Sequence, residues 1–242
     1  MKRLVVIPAR YASTRLPGKP LADIAGKPLI RWVYDAARQS KLAHEVIVAT
    51  DDERIRDAVS AFGAAPVMTS PECPSGTDRV YEAIRERKAD VIVNVQGDEP
   101  LIRGDMIDTL FAAFEQEPLE MATLSCPLAD EDEFRNPNIV KVVPDANGFA
   151  LYFSRSPIPF FRRPTGVPMY KHIGIYGYSR SFLETFVKLP GGRLEETESL
   201  EQLRALEAGH RVKVLVVDYD GISIDKPEDL DRARSVLSHK KA

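Results

Sequence analysis

Short apolar runs alternate with amphipathic stretches over the first hundred residues of this chain, and this alternation limits the available folds more than any other feature. The runs are rich in β-branched residues, as buried strands are, and they lie at 4–7, 46–49, near 67 and at 91–95. The amphipathic stretches have helical spacing and lie at 29–40, 55–62 and 78–88. Pro28 and either Asp51 or Asp52 stand where two of these helices would begin. This β-α-β-α-β order predicts an α/β fold with a doubly wound, mainly parallel sheet.

The second half of the chain is less regular. Strand-like runs lie at 139–143, 149–153, 173–178 and 212–217. The leucine spacing over 194–209 is typical of a helix with one buried stripe, and Gly209 is placed to end it. Four prolines and a glycine exclude regular structure over 157–168, which predicts a mobile loop or a dimerisation arm. We expect one domain over 1–242, with a mixed sheet and a smaller lobe or arm.

Composition excludes several classes of protein. Acidic and basic residues are nearly balanced, 36 against 33, whereas a nucleic-acid-binding domain is usually clearly basic. No apolar run approaches the roughly 18 residues of a membrane helix, and Pro8 cuts the first run too short for a signal peptide. Cys73 and Cys126 form neither a metal-type pair nor a disulfide framework, which favours a reducing cytoplasm.

A basic, proline-stiffened loop follows the first strand. Residues 7–20 read I-P-A-R-Y-A-S-T-R-L-P-G-K-P, which places Arg10, Arg15 and Lys19 within ten residues. The prolines forbid a continuous helix, so we expect a loop at the carboxyl end of a strand, where open α/β sheets usually bind ligands. Its cations and backbone N–H groups suit a polyphosphate, and a plain basic surface loop is an equally open interpretation. Neither a P-loop nor a G-x-G-x-x-G motif is present.

The loop resembles the opening signature of the nucleotidylyltransferases that activate sugar acids with CTP, most closely the 3-deoxy-manno-octulosonate (Kdo) cytidylyltransferase family, or CMP-Kdo synthetases. Further matches follow in order along nearly the whole chain. The resemblance implies a nucleotide-diphospho-sugar transferase-like fold and an enzyme that transfers CMP from CTP to an eight-carbon sugar acid. It implies nucleotide contacts from Ala9, Arg10, Ser13, Thr14 and Lys19. It also implies catalytic roles for Arg10, Arg15 and Lys19.

Two further motifs of the first half match this family. S-G-T-D-R at 75–79 is explained on its own by a helix cap. Its resemblance to S-G-T-[DE]-R implies nucleotide contacts from Ser75, Gly76, Thr77 and Arg79. The run V-I-V-N-V-Q-G-D-E-P at 91–100 ends in a glycine turn and two carboxylates. Its resemblance to Q-G-D-E-P implies that Gln96 contacts the sugar acid and that Asp98 binds Mg²⁺.

Motifs of the second half resemble family motifs, and the resemblance implies that their residues contact the sugar acid. Y-F-S-R-S-P-I-P at 152–159 resembles Y-F-S-R-x-x-I-P and makes Arg155 a bidentate partner for the sugar carboxylate. H-I-G-I-Y-G-Y and L-E-Q-L-R also match the family, which implies sugar contacts from His172, Tyr176, Glu201 and Gln202. Each also has a plainer interpretation, as a solvated charge or a structural side chain. No side chain is placed as a covalent nucleophile.

The last motif, D-K-P-E-D-L at 225–230, predicts on its own a capping box at the start of a helix. By resemblance to D-x-P-E-D-L, Asp225 is the second Mg²⁺ ligand beside Asp98, and two carboxylates with phosphate oxygens suit this ion. The preceding G-I-S-I departs from the family's usual lead-in. Asp218 and Asp220 form a D-x-D, the metal motif of glycosyltransferases of related fold, which keeps a rival open.

The resemblance implies the reaction CTP + Kdo → CMP-Kdo + pyrophosphate, in lipopolysaccharide biosynthesis, by a cytoplasmic homodimer that uses Mg²⁺. The first alternative is the same chemistry on an 8-amino Kdo analogue or another sugar acid such as sialic acid. The second is a glycosyltransferase using Asp218 and Asp220, which would release no pyrophosphate. The third is a non-catalytic nucleotide-binding protein, which would need neither Asp98 nor Asp225. No nucleic acid or membrane is expected as a partner.

Overall fold

Two units make up the chain, which the computed structural model describes over residues 1–12, 16–163, 166–221, 224 and 227–239. The first unit is Met1–Phe111 together with Asp220–Ala242, and the second is Ala112–Tyr219. The expectation of one nucleotidylyltransferase domain over 1–242 stays a prediction. No helix within the described ranges is both long and apolar enough to span a bilayer.

The first unit is built on a parallel sheet. Its strands are β1 (Arg3–Ala9), β2 (Asp23–Ile24), β3 (Lys27–Pro28), β4 (Glu45–Thr50), β5 (Ala65–Met68) and β6 (Val91–Val95). β2 and β3 form a separate hairpin, while the others pair in the order β6-β1-β4-β5, every pair parallel. The helices are α1 (Leu29–Ala37), α2 (Glu53–Ala61), α3 (Gly76–Ile84) and α4 (Gly104–Gln116), the last continuing into the second unit. The predicted parallel β-α alternation is confirmed.

The apolar runs become strands because a parallel sheet is covered on both faces. Val5, Val6 and Ile7 of β1 are each 0% exposed, as is Ile47 of β4. β-branched side chains pack well on such a surface, and alternation with polar residues is not required. The carboxyl ends of these parallel strands share one edge of the sheet, so the loops that follow β1 and β6 lie close together.

The second unit holds a mixed sheet. Its strands are β7 (Met121–Pro127), β8 (Lys141–Pro144), β9 (Ala150–Ser154), β10 (Tyr170–Ser179) and β11 (Val212–Val216). β11 is parallel to β7, whereas β7 with β10, β10 with β8 and β8 with β9 are antiparallel. The helices are α5 (Glu131–Arg135), α6 (Arg180–Phe186), α7 (Arg193–Glu198) and α8 (Leu203–Glu207). α9 (Pro227–His239) then belongs to the first unit. The predicted mixed α/β class is confirmed.

The single helix expected over 194–209 is wrong. α7 ends because Ser199 takes a left-handed conformation with φ of 52°, which a helix cannot continue. The expected apolar stripe is nevertheless buried at Leu200 and Leu203, which are 6% and 0% exposed. Gly209, with φ of 82°, follows α8 as the predicted terminator.

Candidate active site

The basic loop after β1 is closed by one backbone hydrogen bond. The Gly18 N–H donates to the Tyr11 carbonyl oxygen at 3.0 Å. Gly18 has φ of 70°, and a Cβ at this position would lie 3.1 Å from the Tyr11 ring, so the turn favours glycine. Lys19 follows directly and opens a short 3-10 helix, Lys19–Leu21. The turn therefore fixes where the lysine side chain starts.

Part of the predicted loop site lies within the described residues. Ala9 is the last residue of β1 and is buried, and Arg10 follows it with an exposed side chain. The predicted nucleotide-binding Ser13 and Thr14 and the predicted catalytic Arg15 lie outside the described residues. The roles given to these residues stay predictions.

Lys19 brings three distant parts of the first unit together. Its Nζ lies 2.7 Å from Asp98 Oδ2 and 2.7 Å from the carbonyl oxygen of Ile224. The Ile224 N–H in turn donates to the Asp98 carbonyl oxygen at 3.0 Å. The side chains of Lys19 and Asp98 stay 17% and 26% exposed, so both remain open to a ligand. Asp225 itself lies outside the described residues, but its neighbour Ile224 is bonded to Asp98.

The Q-G-D-E-P turn packs against the end of β1. A Cβ at Gly97 would lie only 2.9 Å from the Pro8 carbonyl oxygen, so this close approach requires glycine. Gln96 donates from Nε2 to Asn94 Oδ1 at 3.0 Å, and its Oε1 would lie 3.5 Å from a Cβ on Gly76. The structure thus brings Gln96, Gly76 and the start of the basic loop to one edge of the sheet.

Ser75 caps α3, as the plainer interpretation of S-G-T-D-R predicts. Its hydroxyl oxygen accepts the N–H groups of Thr77 and Asp78 at 3.1 and 3.2 Å. The hydroxyl proton is donated to Asp78 Oδ2 at 2.7 Å. Thr77 is 1% exposed. The motif therefore has a structural role, and the nucleotide contacts of Ser75, Gly76 and Thr77 stay predictions.

Arg79 is buried inside the first unit. Its side chain is 3% exposed and donates to Asp51 Oδ2 at 2.9 Å and to Thr69 Oγ1 at 2.6 Å. These contacts tie α3 to the residues that follow β4 and β5. Asp51 makes this ion pair, whereas Asp52 caps α2 by accepting the Arg54 N–H at 2.9 Å. The nucleotide contact assigned to Arg79 stays a prediction, beside this internal role.

His172 and Tyr176 lie on β10 within the second unit. His172 Nε2 is 2.9 Å from Thr123 Oγ1, and the imidazole packs against the rings of Phe153 and Tyr176 at centroid distances of 5.1 and 5.4 Å. This burial lowers the pKa of His172 to about 3, so the ring is neutral. Sequence reasoning missed Thr123, because β7 was not predicted as a strand.

The Tyr176 hydroxyl donates to Gln202 Oε1 at 3.1 Å. Burial and then the charge of Glu201 raise the pKa of Tyr176, so the phenol stays protonated. Gln202 is 3% exposed, and its Nε2 has no hydrogen-bond partner among the described residues. The structure therefore unites His172, Tyr176 and Gln202, with Glu201 beside them.

Arg155 is held by backbone carbonyls. Its Nε donates to the Glu198 carbonyl oxygen at 2.7 Å, and its two terminal nitrogens donate to Pro137 and Ser199 at 3.2 and 3.3 Å. Its own N–H donates to Glu198 Oε2 at 2.9 Å. The guanidinium thus links the end of β9 to the break between α7 and α8. Its predicted contact with a sugar carboxylate stays a prediction.

Lys141 is a further residue that sequence reasoning missed. It is 0% exposed, and its Nζ donates to the carbonyl oxygens of Asn136 and Ile139 at 2.9 and 2.6 Å and to that of Arg155. Burial lowers the pKa of Lys141, while the nearby Glu198 carboxylate acts in the opposite direction. A lysine inside the apolar run I-V-K-V-V was the available signal.

The rival D-x-D motif lies just after β11. Asp218 and Asp220 are exposed. Over the described ranges, no group of three or more His, Cys, Asp or Glu side chains is arranged to hold a metal ion. Asp98 is therefore the predicted metal ligand with a defined position.

Comparison with known proteins agrees with the geometry. A family model described as cytidylyltransferase matches residues 4–214. A protein of Thermodesulfovibrio yellowstonii named 3-deoxy-manno-octulosonate cytidylyltransferase is 52% identical, over 98% of this chain and 99% of its own. A protein of Shewanella baltica named 8-amino-3,8-dideoxy-manno-octulosonate cytidylyltransferase is 48% identical, over 98% and 99%.

A solved structure gives the same result. It is titled CMP:2-keto-3-deoxy-manno-octonic acid synthetase complexed with CTP, and it superposes with a TM-score of 0.95 at 44% identity. The match covers 99% of this chain and 100% of that one. The chain therefore belongs to the cytidylyltransferase family, among the manno-octulosonate cytidylyltransferases.

Proposed function

We propose that this protein catalyses CTP + Kdo → CMP-Kdo + pyrophosphate with Mg²⁺. The observation that carries the proposal is the position of Lys19, whose ammonium contacts the Asp98 carboxylate and the backbone at residue 224. This joins a basic loop that suits a triphosphate to a carboxylate that suits its metal ion, at the carboxyl ends of parallel strands. The names of the related proteins point to the two substrates.

Binding of the triphosphate falls to the loop after β1. Arg10, Arg15 and Lys19 neutralise the phosphate oxygens, and the backbone N–H groups of the loop donate to them. The anomeric hydroxyl of the sugar acid attacks the α-phosphorus in line, and pyrophosphate leaves. Most of the rate enhancement in such a transfer comes from positioning and charge stabilisation. Lys19 is held at one place by Gly18 and by Asp98, so little reorganisation is needed.

The residues present fit a magnesium ion. Asp98 offers a carboxylate that is 26% exposed, and hard cations such as Mg²⁺ prefer one or two such oxygen ligands with phosphate and water. Asp225 would be the second ligand. When bound, Mg²⁺ would neutralise phosphate charge and lower the pKa of the attacking hydroxyl. Asp98 also contacts Lys19. This contact would keep the lysine ammonium beside the phosphate that the metal ion binds.

The sugar acid has two close candidates, Kdo and its 8-amino analogue. Relatives named for Kdo and for its 8-amino analogue match the chain over the same length, at 52% and 48% identity. We place the sugar against His172, Tyr176, Glu201 and Gln202, with Gln96 and Arg155 as further contacts. No observation on the described residues favours a glycosyltransferase function, and the matching family model and relatives are named cytidylyltransferases.

We further propose a cytoplasmic homodimer that serves lipopolysaccharide biosynthesis. The described residues of 157–168 form neither helix nor strand, as predicted. Phe160 and Val167 in this segment are 88% and 49% exposed, and apolar exposure of this kind supports a role as a dimerisation arm. Sedimentation of the wild type and of Phe160→Asp tests this proposal. If the segment is a dimerisation arm, the wild type should sediment as a dimer and Phe160→Asp should dissociate more readily.

A pyrophosphate-release assay tests the reaction itself. It crosses the four nucleoside triphosphates with Kdo, 8-amino Kdo and sialic acid, each with Mg²⁺. We expect turnover with CTP and Kdo and much less with ATP or GTP, because purines should not fit a pocket for cytosine. Equal turnover with ATP would remove the cytidylyltransferase proposal, and preference for 8-amino Kdo would replace only the sugar.

A further inference from the structure

The hydroxyl of Thr123 lies at the centre of a small hydrogen-bonding group in the second unit. Thr123 is on β7 and is 0% exposed. Its Oγ1 lies 2.8 Å from the Ile175 carbonyl oxygen, 3.2 Å from that of Ile173 and 2.9 Å from His172 Nε2. The two carbonyls approach the same hydroxyl because the pairing of β10 with β7 shifts register between Ile173 and Tyr176.

The Thr123 hydroxyl has a single proton, and the direction of this proton determines which nitrogen of His172 is protonated. A threonine hydroxyl has one proton to donate and lone pairs that accept. Both carbonyl oxygens can only accept, so the Thr123 proton points to one of them and a lone pair faces His172. The hydrogen bond at Nε2 therefore requires a proton on Nε2. In a neutral imidazole the other nitrogen, Nδ1, is then an acceptor.

Nδ1 remains available to a ligand. No hydrogen bond reaches it from any described residue, and His172 is partly exposed. The ring is held on its sides by Phe153, whose centroid is 5.1 Å away and edge-on, and by Tyr176 at 5.4 Å. Its orientation is thus fixed from three directions, counting Thr123. Burial lowers the pKa of His172 to about 3, which keeps the ring from acting as a cation.

We propose that Thr123 is a positioning residue that fixes His172 as the Nε2-protonated tautomer, so that Nδ1 accepts a hydrogen bond from a hydroxyl of the sugar acid. This rests on the proposed function for the identity of the ligand. An acceptor nitrogen repels a carboxylate and pairs with a donor, so His172 reads a hydroxyl group of the substrate. The sugar carboxylate binds elsewhere.

The tautomer is tested without substrate. The full chain is prepared with isotopically labelled histidine, and the His172 ring nitrogens are assigned by their loss in His172→Gln. We expect the wild type to show a protonated Nε2 and an unprotonated Nδ1, and Thr123→Ser to show the same. A protonated Nδ1, or a doubly protonated ring, in the wild type at neutral pH overturns the proposal. Since no turnover is needed, failure of the proposed reaction leaves this result intact.

Steady-state kinetics test the consequence. Thr123→Val removes the hydroxyl at similar volume and should raise the KM for the sugar acid about tenfold, as expected for one neutral hydrogen bond. The KM for CTP should stay within about twofold, and Thr123→Ser should restore the wild-type values. Unchanged sugar-acid KM in a folded Thr123→Val overturns the proposal. If that variant does not fold, the spectra of the wild type and Thr123→Ser decide.

Ser125 provides the matched control. It lies two residues further along β7, is 0% exposed, and its hydroxyl has no hydrogen-bond partner in the described residues. Ser125→Ala removes a buried hydroxyl from the same strand face without touching His172 Nε2. We expect wild-type KM values for both substrates. An equal rise of the sugar-acid KM in Ser125→Ala would mean that β7 packing, and not the tautomer, controls binding, and would overturn the proposal.

Discussion

Two hydrogen bonds of similar length differ in the charge of their partners. Lys19 and Asp98 lie 2.7 Å apart in the first unit, and Thr123 and His172 lie 2.9 Å apart in the second. The first joins two full charges that stay 17% and 26% exposed. The second joins two uncharged groups, one of them 0% exposed. A buried charge is costly unless it is paired, and the Lys19–Asp98 pair also keeps partial contact with solvent. The hydrogen bond between Thr123 and His172 joins neutral groups instead.

The difference separates two tasks. A polyphosphate carries several negative charges and gains more during transfer, so it calls for fixed cations and a metal ion. A sugar carries hydroxyl groups, which oriented donors and acceptors can read, and the ones proposed here are Nδ1 of His172 and Nε2 of Gln202. We therefore expect changes in the first group to lower kcat, and changes in the second to raise the KM for the sugar.

The largest effect is expected for the carboxylates of the charged group. If Asp98 and Asp225 hold one ion, Asp98→Asn and Asp225→Asn should each lower kcat by about 10³-fold. The double variant should be little worse than either, because residues that act as a unit are not additive. Turnover is measured against Mg²⁺ concentration.

Thermal melts without metal serve as the control for these variants. Folding should survive, because asparagine keeps the shape of aspartate and caps a helix about as well. Near wild-type activity of Asp225→Asn would contradict the metal role and leave the helix cap as the function of Asp225.

A smaller loss is expected for Lys19→Met. The ammonium stabilises charge that grows in the transition state, so kcat should fall about 10²-fold with a smaller change in KM. Lys188→Met is a suitable control, because Lys188 forms an exposed pair with Glu184 that contributes little. A change in KM alone would make Lys19 a binding residue only.

The smallest effect concerns stability and pH. His172 has a pKa of about 3 in the folded protein against 6.5 for the free group. The unfolded chain therefore binds a proton below pH 6.5 that the folded chain does not, so stability is full above 6.5 and falls as the pH drops towards 3.

Chemical denaturation from about pH 5 to 7 measures this loss in a range where most carboxylates stay ionised. His172→Gln removes the titrating group and should show a flatter dependence of unfolding free energy on pH. Parallel curves for the two proteins would contradict the lowered pKa of His172.

The parallel half of the fold was predictable because its signals are local. The β-branched runs of β1, β4 and β6 are buried on both faces, and Gly18 and Gly97 mark turns that only glycine fits easily. Local sequence could not show which of Asp51 and Asp52 caps α2. Asp51 instead pairs with Arg79, a residue far along the chain. The break at Ser199 was missed because a left-handed serine carries no sequence signal.

The sequence was enough to propose site residues, but it did not predict most of the contacts that these residues make. Lys19 and Asp98 were each predicted as site residues, and the structure brings their side chains into contact. The ligand contacts of Arg155 and Arg79 stay predictions, and the sequence did not predict that their guanidinium groups also contact backbone carbonyls and Asp51 respectively. The contacts of the Thr123 hydroxyl were not predictable, because they depend on a register shift between β7 and β10. Such partners are set by tertiary packing, which overrides local patterns.

The central claim, that CMP is transferred from CTP to the sugar acid, is tested most directly by following the phosphates. CTP labelled at the α-phosphate and CTP labelled at the γ-phosphate are each incubated with Kdo and Mg²⁺, and the products are separated. We expect all transferred α-label in the sugar nucleotide and an equal amount of γ-label in pyrophosphate. Label from the γ-phosphate on the sugar, or sugar transfer without pyrophosphate, would contradict it.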